Sequence, residues 1–172
     1  HWGLGLEATG GGGGPISVEA KNWDFSRTPD IYDTAWQYDV ISKYPGDIEV
    51  KMSSRIGGGC KWIGTDGWVW VNRGRLDASN KEWVKKGFSA GKWKGYKSPG
   101  HQRNFIDCVK SRKETIAPAE NAHRAITPGH IAYVSHEIGR AIKWDPKKEA
   151  VIGDDKAHKI LYSLPYRGDW KL

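Results

Sequence analysis

The alternation in residues 47–54 constrains this chain more than any other feature. Ile48, Val50 and Met52 fall on one side of an extended segment, and Glu49, Lys51 and Ser53 on the other. That two-residue period belongs to a strand with one wet face and one dry face. Pro45-Gly46-Asp47 is a turn signal. Before it, residues 34–42 alternate aromatic or aliphatic with polar side chains, so the two segments read as antiparallel neighbours. Residues 15–20 form a further strand candidate. Residues 60–64 and 68–72 read as a hairpin about Thr65-Asp66-Gly67. Strands of this kind build an open antiparallel sheet, polar on one side.

The period then changes. Residues 79–100 are rich in Lys, Gly and Ser and read as a surface loop. From His101 the spacing becomes helical. Phe105, Ile106 and Val109 make one stripe, with Pro99-Gly100 just ahead. Pro118 can open a second helix carrying Ala122, Ala125 and Ile126. Pro128-Gly129 should kink or break it, because proline removes a backbone donor and crowds the preceding turn. Ile131, Val134, Ile138 and Ile142 continue on one face. Asp154 is a good N-cap for a last short helix ending near Tyr162. The expected organisation is one domain over residues 1–172: strand-rich 15–75, loop 79–100, helical 101–162, extended tail 163–172. Strands first and helices afterwards give an α+β fold, an open, mostly antiparallel sheet with helices on one face.

Composition narrows the function classes. A chain of 172 residues can bury a proper core, and its mean hydropathy of -0.67 is that of a globular protein. No apolar run approaches the roughly 20 residues that span a bilayer, so no membrane partner is expected. Cys60 and Cys108 do not make a disulfide framework. The net charge of +7 permits nucleic-acid binding. Acidic residues sit among most of the basic ones, however, which reads as a solvated mixed surface with no nucleic-acid partner. Ten Trp and seven Tyr are a large aromatic load. Most should be core or sheet residues, and a few could stack on sugar rings.

The motifs that carry chemistry are sparse. Gly10–Gly14 leads through Pro15 into a strand, whereas a dinucleotide fingerprint lies between a strand and a helix. There is no Walker-type Gly-Lys-Ser/Thr, so no cofactor-binding residue is expected in this chain. Six histidines include no His-Glu-x-x-His. His123 and His130 are seven apart with Pro128 between them, and no metal site is expected. The adjacent His123 and Arg124 must find partners if half-buried, either ligand hydroxyls or backbone carbonyls. No Ser/His/Asp or Cys/His nucleophilic set stands out, and Asp154-Asp155 reads as helix capping.

Taken in order, several segments resemble one family. They are His1-Trp2-Gly3-Leu4-Gly5, Gly64-Thr65-Asp66-Gly67-Trp68, the run His101 to Val109 (HQRNFIDCV), and Glu120-Asn121-Ala122-His123-Arg124-Ala125. Ile138-Gly139-Arg140, Lys143-Trp144-Asp145-Pro146, Ile152-Gly153-Asp154 and Pro165-Tyr166-Arg167 with Trp170 complete the series. The chain resembles the C-terminal domain of the Gfo/Idh/MocA oxidoreductases, in their bacterial-type branch.

The resemblance implies a two-domain parent whose N-terminal Rossmann domain, absent from this chain, binds NAD or NADP. This chain would be the substrate-binding and oligomerisation part, pairing with a second copy through its sheet face. The chemistry implied is hydride transfer to or from a sugar or polyol, or a redox-neutral cycle that cleaves glycosides. The family's catalytic Asp, His and Lys would lie upstream of residue 1, so no catalytic residue is expected here. His1 fits a position later in that upstream helix. The residues that match and point to a carbohydrate substrate are His101, Asn104, His123, Arg124 and His130. The opening run His1 to Leu6 reads as the end of a helix and a turn, as if the chain were the back half of a longer protein. The competing classes are an autonomous carbohydrate-binding module, marked by coplanar exposed Trp, and a basic nucleic-acid binder.

Overall fold

A computed structural model describes residues 13–25, 31, 34–88, 98–163 and 168–169. The opening run His1 to Leu6, Gly10 to Gly12, the basic cluster Lys92 to Lys97 and most of the tail lie outside the described residues. The chain divides into two compact units, His1–Arg55 with Ala117–Leu172, and Ile56–Ile116.

The first unit is built on a five-stranded sheet. Its strands are β1 (Ser17–Phe25), β2 (Ala35–Tyr44), β3 (Ile48–Ser53), β7 (Ile142–Asp145) and β8 (Ala150–Val151), in the order β3-β2-β1-β7-β8. Every pairing is antiparallel. The alternation in β3 and the turn before it act as expected: Val40 lies opposite Met52 and Ser42 opposite Val50. Opposed residues share a face, so Val18, Val40, Ser42, Met52 and Ile142 point to one side. There they meet α2 (Ala119–Ile138) and α3 (Asp155–Tyr162). Val18, Val40, Ile131, Ala132, Val134, Ile142, Trp144 and Ala157 form the buried core. The fold is α+β, with an open antiparallel sheet backed by helices on one face.

The register of β1 slips between Ala20 and Asn22. This bulge lets Trp23 stay on the core side, opposite Tyr38. Next to it, the Ala20 N–H donates to Ser135 Oγ at 3.0 Å, and that hydroxyl donates to the Arg140 carbonyl at 2.7 Å. One buried serine thus ties β1, α2 and the start of β7 together.

Three expectations need correction. The segment 101–162 is not all helical, because β7 and β8 lie within it and complete the sheet. Ile142 is accordingly on a strand. The helix stops at Ile138, where Gly139 takes φ 72° and its N–H reaches the carbonyls of Ser135 and His136. Pro128 does not break α2, which runs through from Ala119 to Ile138. Pro128 is buried, and Ile131, Ala132 and Val134 anchor the following turns in the core. Thr127 Oγ1 also donates to the His123 carbonyl at 2.8 Å within the disturbed stretch. Burial of that face outweighs the lost backbone bond.

The second unit holds a three-stranded antiparallel sheet, β4 (Cys60–Gly64), β5 (Gly67–Asn72) and β6 (Arg75–Ala78), then a 3₁₀ turn at Lys81–Val84 and helix α1 (His101–Ser111). The hairpin about Thr65-Asp66-Gly67 is present. β6 extends the strands past residue 75, and the segment expected as loop holds the 3₁₀ turn among its described residues. In α1 the buried residues are Asn104 and Cys108, while Phe105, Ile106 and Val109 stand exposed. Asn104 Oδ1 accepts from the Ile116 N–H at 2.9 Å, and Cys108 Sγ reaches the Glu114 carbonyl at 3.3 Å. These two side chains, one turn apart, fold the segment after α1 back onto it.

Candidate functional site

His123, Thr127, His130 and Val134 recur at helical spacing and share one face of α2. With Ile131 and Tyr133 they form one wall of a cleft in the first unit. Ile160, Leu161 and Tyr162 of α3 form the facing wall, and Trp144 of β7 and Glu149 close it. Its volume is about 410 Å³, within the roughly 300–1,000 Å³ of small-molecule sites.

The polar end of the cleft is organised by Glu149, in the turn between β7 and β8. His123 Nε2 lies 2.9 Å and 3.0 Å from its two carboxylate oxygens. Arg124 Nη1 lies 2.6 Å from Oε1 of the same group. A carboxylate only accepts, so Nε2 carries the hydrogen of this contact. Arg124 is largely covered, with 18% of its side chain exposed. It also donates to Glu120 Oε1 at 2.7 Å and to the Pro146 carbonyl at 2.7 Å. Of the two partner types left open by the sequence, ligand hydroxyls and backbone carbonyls, this guanidinium takes a backbone carbonyl, and it adds two carboxylates.

Glu149 has φ 52°, a left-handed conformation unusual for a residue with a side chain. Its carbonyl accepts from the Tyr162 hydroxyl, which fastens the end of α3 to the turn. Burial, and then the negative charge of Glu149, push the Tyr162 phenol above its ordinary range. It therefore stays a donor at neutral pH. The other end of α3 is held by Asp154, which accepts from the Ala157 N–H at 3.0 Å and from Arg140 Nη2 at 2.7 Å. The Ala157 bond first, and then Arg140, hold the Asp154 carboxyl below its usual range.

The five residues singled out in the sequence separate. His123 and His130 line the cleft together, and Arg124 stands behind it as the buttress of Glu149. His101 is exposed at the start of α1, and Asn104 is buried in that helix. Both belong to the second unit. Sequence reasoning missed Glu149, Tyr162, Tyr133 and Thr127. Thr127 was reachable, since it lies on the His123–His130 face. Glu149 was not, since nothing in the sequence marks a glutamate for positive φ.

The described tryptophans do not form a coplanar platform. Opposed pairs place Trp62 with Val69 on one face of the small sheet, and Trp68 and Trp70 with Ile63 and Lys61 on the other. The outer face of the large sheet is not Trp-rich either. It carries Glu19, Ile41, Lys43, Glu49 and Lys51.

A nicotinamide dinucleotide needs a glycine loop between a parallel strand and a helix N-terminus. All strand pairs among the described residues are antiparallel, and α2 opens at Pro118 without such a loop. The described residues therefore do not fit that cofactor. No group of three or more metal-ligating side chains occurs among the described residues, and no helix among them is long and apolar enough to cross a membrane.

Residues 92–172 match the family described as "Oxidoreductase family, C-terminal alpha/beta domain" of Gfo/Idh/MocA type. No curated protein and no solved structure matches the chain. The matched segment includes α1, α2, β7, β8 and α3, and hence every side chain that lines the cleft. Over residues 92–172 this chain is thus similar to the C-terminal α/β domain of the Gfo/Idh/MocA oxidoreductases.

Proposed function

We propose that this chain is the substrate-binding part of an NAD(P)-dependent oxidoreductase acting on a sugar, a polyol or a glycoside. The cleft that carries His123 and His130 would receive the substrate. The observation that carries this reading is that the family match spans both helices of a cleft with an apolar interior and a polar rim. A sugar ring asks for that combination, an apolar C–H face and an edge of hydroxyls. NAD or NADP would be held by polypeptide other than the described residues, and hydride transfer needs both parts in register.

The outer face of the large sheet would pair two copies of the chain. Lys43 lies opposite Glu49, and Lys51 flanks Ile41, so both charge signs alternate across that face. A self-complementary surface of this kind suits a two-fold interface. Arg55 with Asp24, Arg103 with Asp107 and Arg140 with Asp154 are paired likewise. Such pairing leaves little contiguous positive face for nucleic acid.

The test is a comparison of this chain with a version extended by its natural upstream sequence. The extended protein should bind NAD(H) and oxidise a member of a sugar and polyol panel. Residues 1–172 alone should show neither saturable NAD(H) binding nor turnover. Saturable NADH binding by residues 1–172 would overturn the reading.

A further inference from the structure

Charge decides which ligand the cleft can accept. Glu149 is the one carboxylate among the described residues lining it, and both its oxygens are occupied, by His123 on two sides and by Arg124. Arg124 is itself committed to Glu120 and Pro146. No lysine or arginine lines the cleft among the described residues. A phosphate or carboxylate entering it would meet no unpaired cation among the described residues and would lose its hydration.

The polar groups that remain are imidazoles and a phenol. His130 and Tyr133 have no hydrogen-bond partner among the described residues, and Tyr133 is 45% exposed. They stand with His123 Nδ1 on the α2 side. The apolar surface is offered by the partly buried Ile160 and Leu161, which pack on the buried Ile131, Val134 and Trp144. Hydroxyls are thus served at one side and a substantial apolar body elsewhere.

We propose that the cleft takes an uncharged glycoside with an apolar aglycone. The sugar hydroxyls lie at His123, His130 and Tyr133, and the aglycone lies against Ile160 and Leu161. This inference rests on the carbohydrate reading above and narrows it to one class.

The probes are phenyl and methyl glycosides of glucose, galactose, mannose and xylose, with the phenyl glucuronide as the anionic counterpart. They are titrated into the ¹⁵N-labelled 172-residue chain at pH 8, where histidines are mostly neutral. The best phenyl glycoside should shift amides of 127–134 and 160–162. It should bind roughly ten-fold tighter than its methyl counterpart, the worth of one buried ring. It should also exceed the glucuronide by roughly ten-fold. Thr127→Trp fills the cleft from an otherwise unchanged helix and should abolish these shifts while the rest of the spectrum stays native. Equal binding of phenyl and methyl forms, tighter binding of the glucuronide, or indifference to Thr127→Trp overturns the inference. Shifts mapping elsewhere also overturn it but leave the carbohydrate reading standing. No response to any glycoside removes both.

Discussion

The imidazole of His123 and the carboxylate of Glu149, 26 residues apart in the chain, meet at 2.9 Å and 3.0 Å. The contact joins the start of α2 to the turn between β7 and β8, and Arg124 reinforces it. It costs backbone strain, because Glu149 sits at φ 52°. Glu149→Ala would remove the ion pairs and keep the strain, whereas Glu149→Gly would remove both. The glycine variant is expected to be more stable than the alanine variant by about 1 kcal/mol. Urea denaturation of the two checks this, and equal midpoints would contradict the strain.

Ser135 is 1% exposed and serves two backbone groups, as acceptor for Ala20 and donor to Arg140. Ser135→Ala takes this partner from a part-buried N–H and a part-buried carbonyl. The expected loss is roughly 1–3 kcal/mol. Tyr133→Ala, exposed on the same helix, should cost less. Chemical denaturation of both variants separates the effects.

Asp39, Asp145 and Asp154 all have carboxyls held below their usual range. The causes are, in turn, the bond from Ser53, the backbone N–H of Lys148 and the backbone N–H of Ala157. A carboxyl with a depressed folded pKa stabilises the fold above its unfolded value, about 3.9, and that stability is lost as pH falls through the folded value. The unfolding temperature should therefore hold near neutrality and drop below about pH 4. Asp154→Asn should flatten the drop. Tyr44 acts at the other extreme, since burial raises its phenol. Its contribution is present below about pH 10 and is lost as pH rises through the folded value. Circular dichroism melts across pH measure both limbs.

Gly67 opens β5 at φ 141°, and a Cβ there would lie 2.1 Å from Ser79 Oγ. That hydroxyl accepts from the Trp68 N–H at 2.9 Å, so it cannot move without breaking the start of the strand. Gly67→Ala should destabilise the second unit by roughly 2 kcal/mol or more. Gly74→Ala, with φ 82° but no atom within 4 Å of the added carbon, should cost about 1 kcal/mol. Hydrogen exchange of the β4–β5 amides reads both.

Local periodicity was enough for the paired strands β2 and β3, the β4–β5 hairpin, α1 and α3. In all but α1, whose apolar stripe stays exposed, the pattern, turn residues and caps agree with the final packing. The Asp154 cap is the plainest case, because its bond to the Ala157 N–H lies within four residues. The helical face that sets His123 and His130 in one cleft was also legible, once Pro128 is allowed inside the helix.

Tertiary structure alone decided the rest. β7 and β8 are too short to show a period; β7 is a strand because β1 offers Val18 and Ser17 as partners, and β8 because β7 offers Trp144 and Asp145. The apolar stripe of α1 stays exposed, while Asn104 and Cys108 go inside to meet backbone groups far along the chain. Glu149 joined the cleft only because folding brought it to His123, Arg124 and Tyr162. Sequence reads what neighbours within a few residues dictate. A left-handed glutamate, a bulge capped by a distant serine and a two-residue edge strand owe their stability to contacts closed over long separations, and no local pattern announces them.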